Sequence, residues 1–282
     1  MTDSRTRLLG LLGDPVEHSL SPRLHSFLIA RAGLNYCYLA FRVSEGSLGE
    51  ALSGMRALGI RGFNVTIPHK EAVIPFLDEL SPAAEAIGAV NVIVNEDGRL
   101  RGDNTDWEGF LKALDSRGVG LCGQKAVVVG AGGAAAAVVY ALLSTDVEVV
   151  VVNRTPPRAR ALARRFSSLG SVTHGSLHDL AAFLREAGLL VNATPVGMIP
   201  HVGKSLVPAH LLREGLVVYD LVYNPPETKL LRDARERGCV AIGGLEMLVH
   251  QGIRALELWT GHRFGDEDAA SAIKHLEGVL RG

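Results

Sequence analysis

Over the first hundred residues, short apolar runs alternate with segments whose apolar positions recur every three or four residues, the signature of strands alternating with amphipathic helices. Residues 8–12, 36–43 and 61–65 fit strands, and 22–32, 47–58 and 68–79 fit helices. Pro82 opens a further helical stretch, and residues 89–102 read as a hairpin turning at Asp97-Gly98. Asp106 heads an amphipathic helix that Gly118 stops. Apolar runs then return near 125–129, 147–152, 189–193, 216–221 and 239–242, separated by helical segments, and two helices over 245–261 and 267–280 close the chain.

This order predicts an α/β protein of two domains. Residues 1–105 form an N-terminal α/β domain, and 106–243 form a doubly wound Rossmann domain entered through a connector helix over 106–118. Residues 244–282 supply helices that pack back on the first domain.

One segment is chemically explicit. Residues 125–158 run strand, glycine turn, alanine-rich helix, second strand and basic turn. Gly130 and Gly132, with Ala135 as the third small residue, make the tight turn, the close backbone approach and the helix–strand packing of a dinucleotide site. The helix start that follows offers unpaired N–H groups and a positive dipole end to a diphosphate. After the second strand, where an NAD site carries Asp or Glu, the chain has Asn153, Arg154, Thr155 and Arg158. A carboxylate repels a 2′-phosphate and a guanidinium grips it, so the expected cofactor is NADP.

Composition narrows the partners. The 29 basic and 30 acidic residues leave a net charge of −1, which gives no bulk attraction for nucleic acid or an anionic membrane. Cys37, Cys122 and Cys239 lack the spacing of a zinc site or a disulfide framework and are expected to be buried thiols. The LLGLLG run near the N-terminus is too short for a signal or a membrane span, so a cytoplasmic, soluble protein is expected. His174 and His178 are expected to be surface residues, and no metal is expected.

Four further segments hold more polar residues than folding requires. In His18-Ser19-Leu20-Ser21-Pro22, capping of the next helix explains one serine and not both. Asn64 to Lys70 lies at a strand's carboxyl end, where open α/β sheets bind ligands, although Thr66 also reads as a cap and Lys70 as a surface lysine. Asp103 to Asp106 joins the hairpin to the connector helix, with Asp106 as its N-cap. The last segment comprises Asp220 to Pro226 and Gly243 to Gln251.

Together these segments resemble the NADP-dependent shikimate dehydrogenase family over essentially the whole chain. The motifs are S-L-S-P at Ser19–Pro22, N-V-T-x-P-x-K at Asn64–Lys70, A-x-N at Ala89–Asn91 and N-T-D at Asn104–Asp106. They continue as G-A-G-G-A at Gly130–Ala134, N-R-T-x-x-R at Asn153–Arg158, N-A-T-P-x-G at Asn192–Gly197 and Y-N-P at Tyr223–Pro225. Gly244, Met247, Leu248 and Gln251 complete the set. The resemblance implies reversible oxidation of shikimate to 3-dehydroshikimate, on the route to chorismate and aromatic amino acids, by a monomer or homodimer. It implies that residues 1–105 are the substrate domain, that Ser19 and Ser21 hold the substrate carboxylate, that Asn64, Thr66, Asn91, Asp106, Tyr223 and Gln251 surround the ring, and that Lys70 and Asp106 are the catalytic pair. It adds Ala131, Gly133, Ala134, Thr194, Leu221, Gly244 and Met247 to the cofactor residues. Val92, Trp107 and Ser26 stand where the family often has Thr, Gly and Asn.

Overall fold

The computed structural model describes residues 2–121 and 123–281; Cys122, expected to be a buried thiol, lies outside them. Two compact units emerge, one made of residues up to Gly109 together with Val249 onward, the other of Phe110–Leu248.

The first unit carries strands β1 (Arg7–Gly13), β2 (Tyr36–Arg42), β3 (Gly62–Val65), β4 (Glu79–Leu80), β5 (Val92–Glu96) and β6 (Arg99–Asp103), in the order β2-β1-β3-β5-β6-β4. The first three are parallel, and β5 runs antiparallel to both β3 and β6. Asp97 and Gly98 both adopt positive φ, of 54° and 92°, which is what a two-residue hairpin loop with the strand twist demands. β1 leads to β2 on one side and β3 continues on the other, so the carboxyl ends of β1 and β3 flank a topological switch point.

The C-terminal helices complete this unit. Trp259, on the helix Leu245–Thr260, is 1% exposed, and its indole donates to the Ile93 carbonyl at 2.9 Å. Any Cβ at position 62 would collide with that indole, so β3 begins on a glycine for packing reasons. The last helix, Asp266–Arg281, lies against Ser21–Arg31, tied by Arg31 to Asp268 at 2.7 Å.

The second unit carries β7 (Lys125–Val129), β8 (Glu148–Asn153), β9 (Val172–Ser176), β10 (Leu189–Asn192), β11 (Val217–Asp220) and β12 (Val240–Gly243). All pair in parallel in the order β12-β11-β10-β7-β8-β9, the doubly wound arrangement. β7 through β10 are buried almost throughout except at β9, which fits strands covered by helices on both faces.

Three local expectations are corrected. The helix expected over 68–79 is a short turn, His69–Ala72, then a 3₁₀ segment, Ile74–Phe76, and then β4 alongside β6. Pro75 has no amide to continue a helix and disfavours it at the preceding residue. β9 was not expected: its sequence Val-Thr-His-Gly-Ser has no apolar alternation because it is a largely exposed edge. The three capping roles are also replaced. The N-cap of Ser21–Arg31 is Leu20 and that of His69–Ala72 is Pro68, so neither Ser21 nor Thr66 is the cap; Ser19 Oγ instead accepts from the Ser21 amide at 3.2 Å. Asp106 is the first residue of the helix Asp106–Asp115, one position inside the expected cap.

Candidate active site

In the first unit, pairing of β3, β5 and β6 gathers the polar segments at one edge. Val65 donates its amide to the Asn91 carbonyl at 2.8 Å, and Asn91 donates its own to Asp103 at 3.1 Å. The start of β5 and the end of β6 therefore meet the carboxyl ends of β1 and β3, where Thr66 bonds back to Leu12 at 2.9 Å. The serine loop follows β1, the Asn64–Lys70 segment begins in the last two residues of β3 and runs on past it, and Asn104–Asp106 follow β6.

Lys70 Nζ donates to Asp106 Oδ2 at 2.6 Å, with side chains 17% and 7% exposed. Such a pair keeps its strength because little water screens it, and the carboxylate stays satisfied by further donors. The other oxygen, Oδ1, accepts from Asn91 Nδ2 at 2.9 Å, and the Asp106 amide donates to Asn104 Oδ1 at 3.0 Å. The same Asn91 nitrogen lies 3.2 Å from Gln251 Oε1, while Asn91 Oδ1 accepts from the Thr105 amide at 2.7 Å. Asn91 is thus the hub that joins β5, the Asp106 helix and the C-terminal helix. Ser21 Oγ and Ser19 Oγ lie 3.2 Å apart, so two hydroxyls sit side by side at the opening of the helix Ser21–Arg31.

Asn64 is 5% exposed and accepts at Oδ1 from both Tyr38 Oη, at 2.7 Å, and His25 Nε2, at 3.0 Å. Burial holds the His25 imidazole down at about 3 against an ordinary value of 6.5, with the Asn64 bond only partly opposing it. Because the folded value is depressed, the unfolded chain takes up a proton near pH 6.5 that the folded chain refuses. Stability is therefore full above 6.5 and is lost as the pH falls from there toward 3. The slope from this residue is expected to approach about 1.4 kcal/mol per pH unit between pH 6 and 5. Urea midpoints of the unmodified chain and His25→Gln over that interval check it: the variant should lose that part of the slope.

In the second unit, β7 is followed by Gly130, whose φ of +126° excludes ordinary side chains and whose Cβ would sit 3.0 Å from the Ala193 carbonyl. Gly132 is extended at the head of the helix Gly133–Leu143, with no side-chain cap, and a Cβ there would meet open space. The helix start thus presents bare amides to an anion. Gly130 also donates to the Val152 carbonyl at 2.8 Å, which fixes the turn beside β8. At the end of β8, Asn153 Nδ2 donates to the Thr155 carbonyl at 3.1 Å, and Arg154, Thr155 and Arg158 are exposed. Neither arginine makes an ion pair among the described residues, so two guanidinium groups stand available to a phosphate.

Thr194 and Leu221 are positioned by a network around a buried carboxylate, Asp220, which opens the last of the polar segments. Asp220, wholly buried, accepts from Asn192 Nδ2 at 2.8 Å, Thr228 Oγ1 at 2.6 Å and the Val222 amide at 3.1 Å. Asn192 Oδ1 in turn accepts from the Thr194 hydroxyl at 2.7 Å. Burial pushes the Asp220 carboxyl up, against the pull of its three donors. Gly244 donates to Val222, and a Cβ on it would collide with the Leu221 carbonyl.

Of the expected substrate residues, Ser19, Ser21, Asn64, Thr66, Lys70, Asn91, Asp106 and Gln251 belong to the first unit, and Tyr223 belongs to the second, just past β11. All the expected cofactor residues, Met247 included, belong to the second. The sequence assigned no role to His25 or Tyr38, and Thr105, Asn192 and Asp220 entered only as members of motifs or segments. The advance signal for Asp220 was its place at the end of an apolar run, and His25 stood out only as a histidine on the helix face shared by Leu24 and Leu28.

A doubly wound sheet with a glycine turn and a basic loop, in a chain whose other unit holds a carboxylate-bound lysine, defines a nicotinamide-dependent α/β oxidoreductase. The chain also matches three family profiles: a shikimate dehydrogenase substrate binding domain over residues 11–93, a shikimate / quinate 5-dehydrogenase over 113–218 and a shikimate 5'-dehydrogenase C-terminal domain over 244–265. It belongs to the shikimate dehydrogenase family. The NADP(+) shikimate dehydrogenase of Moorella thermoacetica is 50% identical to it over 91% of this chain and 88% of that one. That of Thermococcus kodakarensis is 48% identical over 100% of this chain and 97% of that one. The crystal structure of shikimate 5-dehydrogenase from Thermus thermophilus, solved with NADP(H) and shikimate, superposes with a TM-score of 0.86 at 42% identity, covering 95% of this chain and 98% of that chain. No helix among the described residues is long and apolar enough to cross a membrane.

Proposed function

We propose that the chain catalyses reversible NADP-dependent oxidation of shikimate to 3-dehydroshikimate, with Lys70 and Asp106 as its acid–base pair. The observation that carries the assignment of roles is the Lys70–Asp106 contact of 2.6 Å at the carboxyl edge of the first sheet. The open helix start at Gly132 and the two unpaired arginines fit the diphosphate and 2′-phosphate of NADP, which when bound supplies the hydride acceptor. In the oxidative direction Lys70 takes the proton of the reacting hydroxyl, and Asp106 holds the resulting ammonium. In reverse, the Lys70 ammonium returns that proton to the ketone oxygen. Asn91 keeps Asp106 from rotating away by occupying its second oxygen. Free thiols at Cys37 and Cys239 support a reducing, cytoplasmic setting.

The test is absorbance at 340 nm with shikimate or quinate and with each nucleotide. Turnover of shikimate with NADP is the expected outcome, and its absence in a folded preparation would overturn the reading.

The paired hydroxyls of Ser19 and Ser21 are the proposed carboxylate site. Ser19→Ala is expected to lower kcat/KM for shikimate roughly 10- to 150-fold, the scale of one charge-assisted hydrogen bond, while Tm changes little, because the bond lost within the protein, from the Ser21 amide to Ser19 Oγ, is a long one of 3.2 Å. An analogue without the carboxylate should be a poor substrate of the unmodified chain, and that penalty should shrink in the double alanine variant. A penalty of the same size in both proteins would put the carboxylate elsewhere.

A further inference from the structure

The side-chain amide of Asn64 has its orientation dictated from behind. Asn64 Nδ2 lies 3.2 Å from the main-chain carbonyl of Asn91. A carbonyl oxygen can only accept, so the amide nitrogen must face it, and the opposite rotamer would set two oxygens against each other. Oδ1 then faces the other way, toward Tyr38 Oη and His25 Nε2, and both of these must donate. That choice uses the Tyr38 proton, fixes His25 as the Nε2–H tautomer and leaves Nδ1 a bare nitrogen, buried with no partner. Two lone pairs of Oδ1 and one N–H of Nδ2 are now engaged. A single capacity is left, the second N–H of Nδ2.

We propose that His25 and Tyr38 are positioning residues that lock Asn64 so that it offers an N–H, and never its carbonyl, to the substrate. This rests on the reading that Asn64 touches the ring hydroxyls. Its partner must then be an oxygen that accepts, so the hydroxyl it meets turns its own proton elsewhere. An amino group at that ring position, protonated and without a lone pair, has nothing to offer Asn64. The lock is rigid: His25 and Tyr38 are 0% and 3% exposed and stack at 4.2 Å with 14° between their planes, and Trp259 packs 5.5 Å from the imidazole. A pair of aromatic rings is costly to tilt in so dense a setting, so the donors keep their aim.

The experiment is a double-mutant cycle read in KM and kcat. Tyr38→Phe keeps the stacked ring and removes one donor, so the KM for shikimate should rise about 2- to 10-fold with kcat nearly unchanged. In an Asn64→Ala background the same substitution should leave KM unaltered, because the amide it orients is gone. An equal rise in both backgrounds, or no rise with Asn64 intact, would overturn the lock. If Asn64→Ala alone leaves KM unchanged in a folded protein, the reading of Asn64 as a substrate residue fails instead, and the two failures are distinguishable. A second measurement needs no variant: nitrogen NMR of His25 in the unmodified protein should show Nε2 protonated and Nδ1 bare across pH 6 to 8. The opposite tautomer would mean that Asn64 presents its oxygen, and the inference would fall.

Discussion

Alanine at position 70 is expected to lower kcat by at least about 10²-fold, with a much smaller change in the KM for shikimate, because an acid–base group acts in the transition state and not in binding. The fold should survive the change: the Lys70 main-chain carbonyl still accepts from the Val90 amide at 2.8 Å, and that bond holds the segment to the start of β5. Asp106→Ala should also damage turnover, for a related reason. It strips the ammonium of its acceptor and leaves Asn91 Nδ2 to its remaining neighbours, Thr105 Oγ1 at 3.1 Å and Gln251 Oε1 at 3.2 Å. Two residues that act as a unit fail together, so the double variant should be far more active than the product of the single losses. Single-turnover rates of the four proteins, with Tm to confirm folding, decide the matter. Near-normal turnover by a folded Lys70→Ala protein would leave Lys70 as no more than the ion-pair partner of Asp106.

A comparable effect is expected on the nucleotide. Arg154→Ala should weaken NADP about 10- to 150-fold while NAD is nearly untouched, since a guanidinium on the 2′-phosphate makes charge-assisted bonds that NAD has no group to receive. Asn153 shapes the loop through its bond to the Thr155 carbonyl, and no carboxylate lies between Asn153 and Arg158. Adding an acid should therefore act in the opposite sense, with Asn153→Asp favouring NAD by repelling the phosphate. Nucleotide titrations of each protein by quenching of protein fluorescence measure both constants. Equal losses for the two nucleotides after Arg154→Ala would assign the arginine to the shared part of the cofactor.

What the chain disclosed in advance was whatever depended on neighbours in sequence. The glycine turn, the alanine-rich helix and the Asp97-Gly98 hairpin are local, and φ values of +126° at Gly130 and 92° at Gly98 are the physical reason glycine stands there. The paired serines and the Lys70 segment were visible for the same reason. From its neighbours alone Asp106 reads as a cap, because a carboxylate at a helix start has a good local use; the claims on it from Lys70 and Asn91 arise 36 and 15 residues away, and only the family resemblance paired it with Lys70. β9 escaped because an exposed edge strand needs no apolar face. The roles of His25 and Asp220 escaped because their worth lies in distant partners, Asn64 and Thr228, that the alternation of apolar and polar positions cannot register.

The first unit is interrupted: its strands come from residues up to Gly109, yet Trp259, Gln251 and the last two helices join it after the whole second unit has been spelled out. On the ribosome, the nucleotide-binding sheet is therefore finished while Gly62 and Ile93 still wait for the indole that covers them. The hub at Asn91 likewise waits for Gln251. A chain cut short after residue 248 would therefore carry a complete glycine turn and basic loop, but a first unit without Gln251 at its Asn91 hub and without Trp259 over β3.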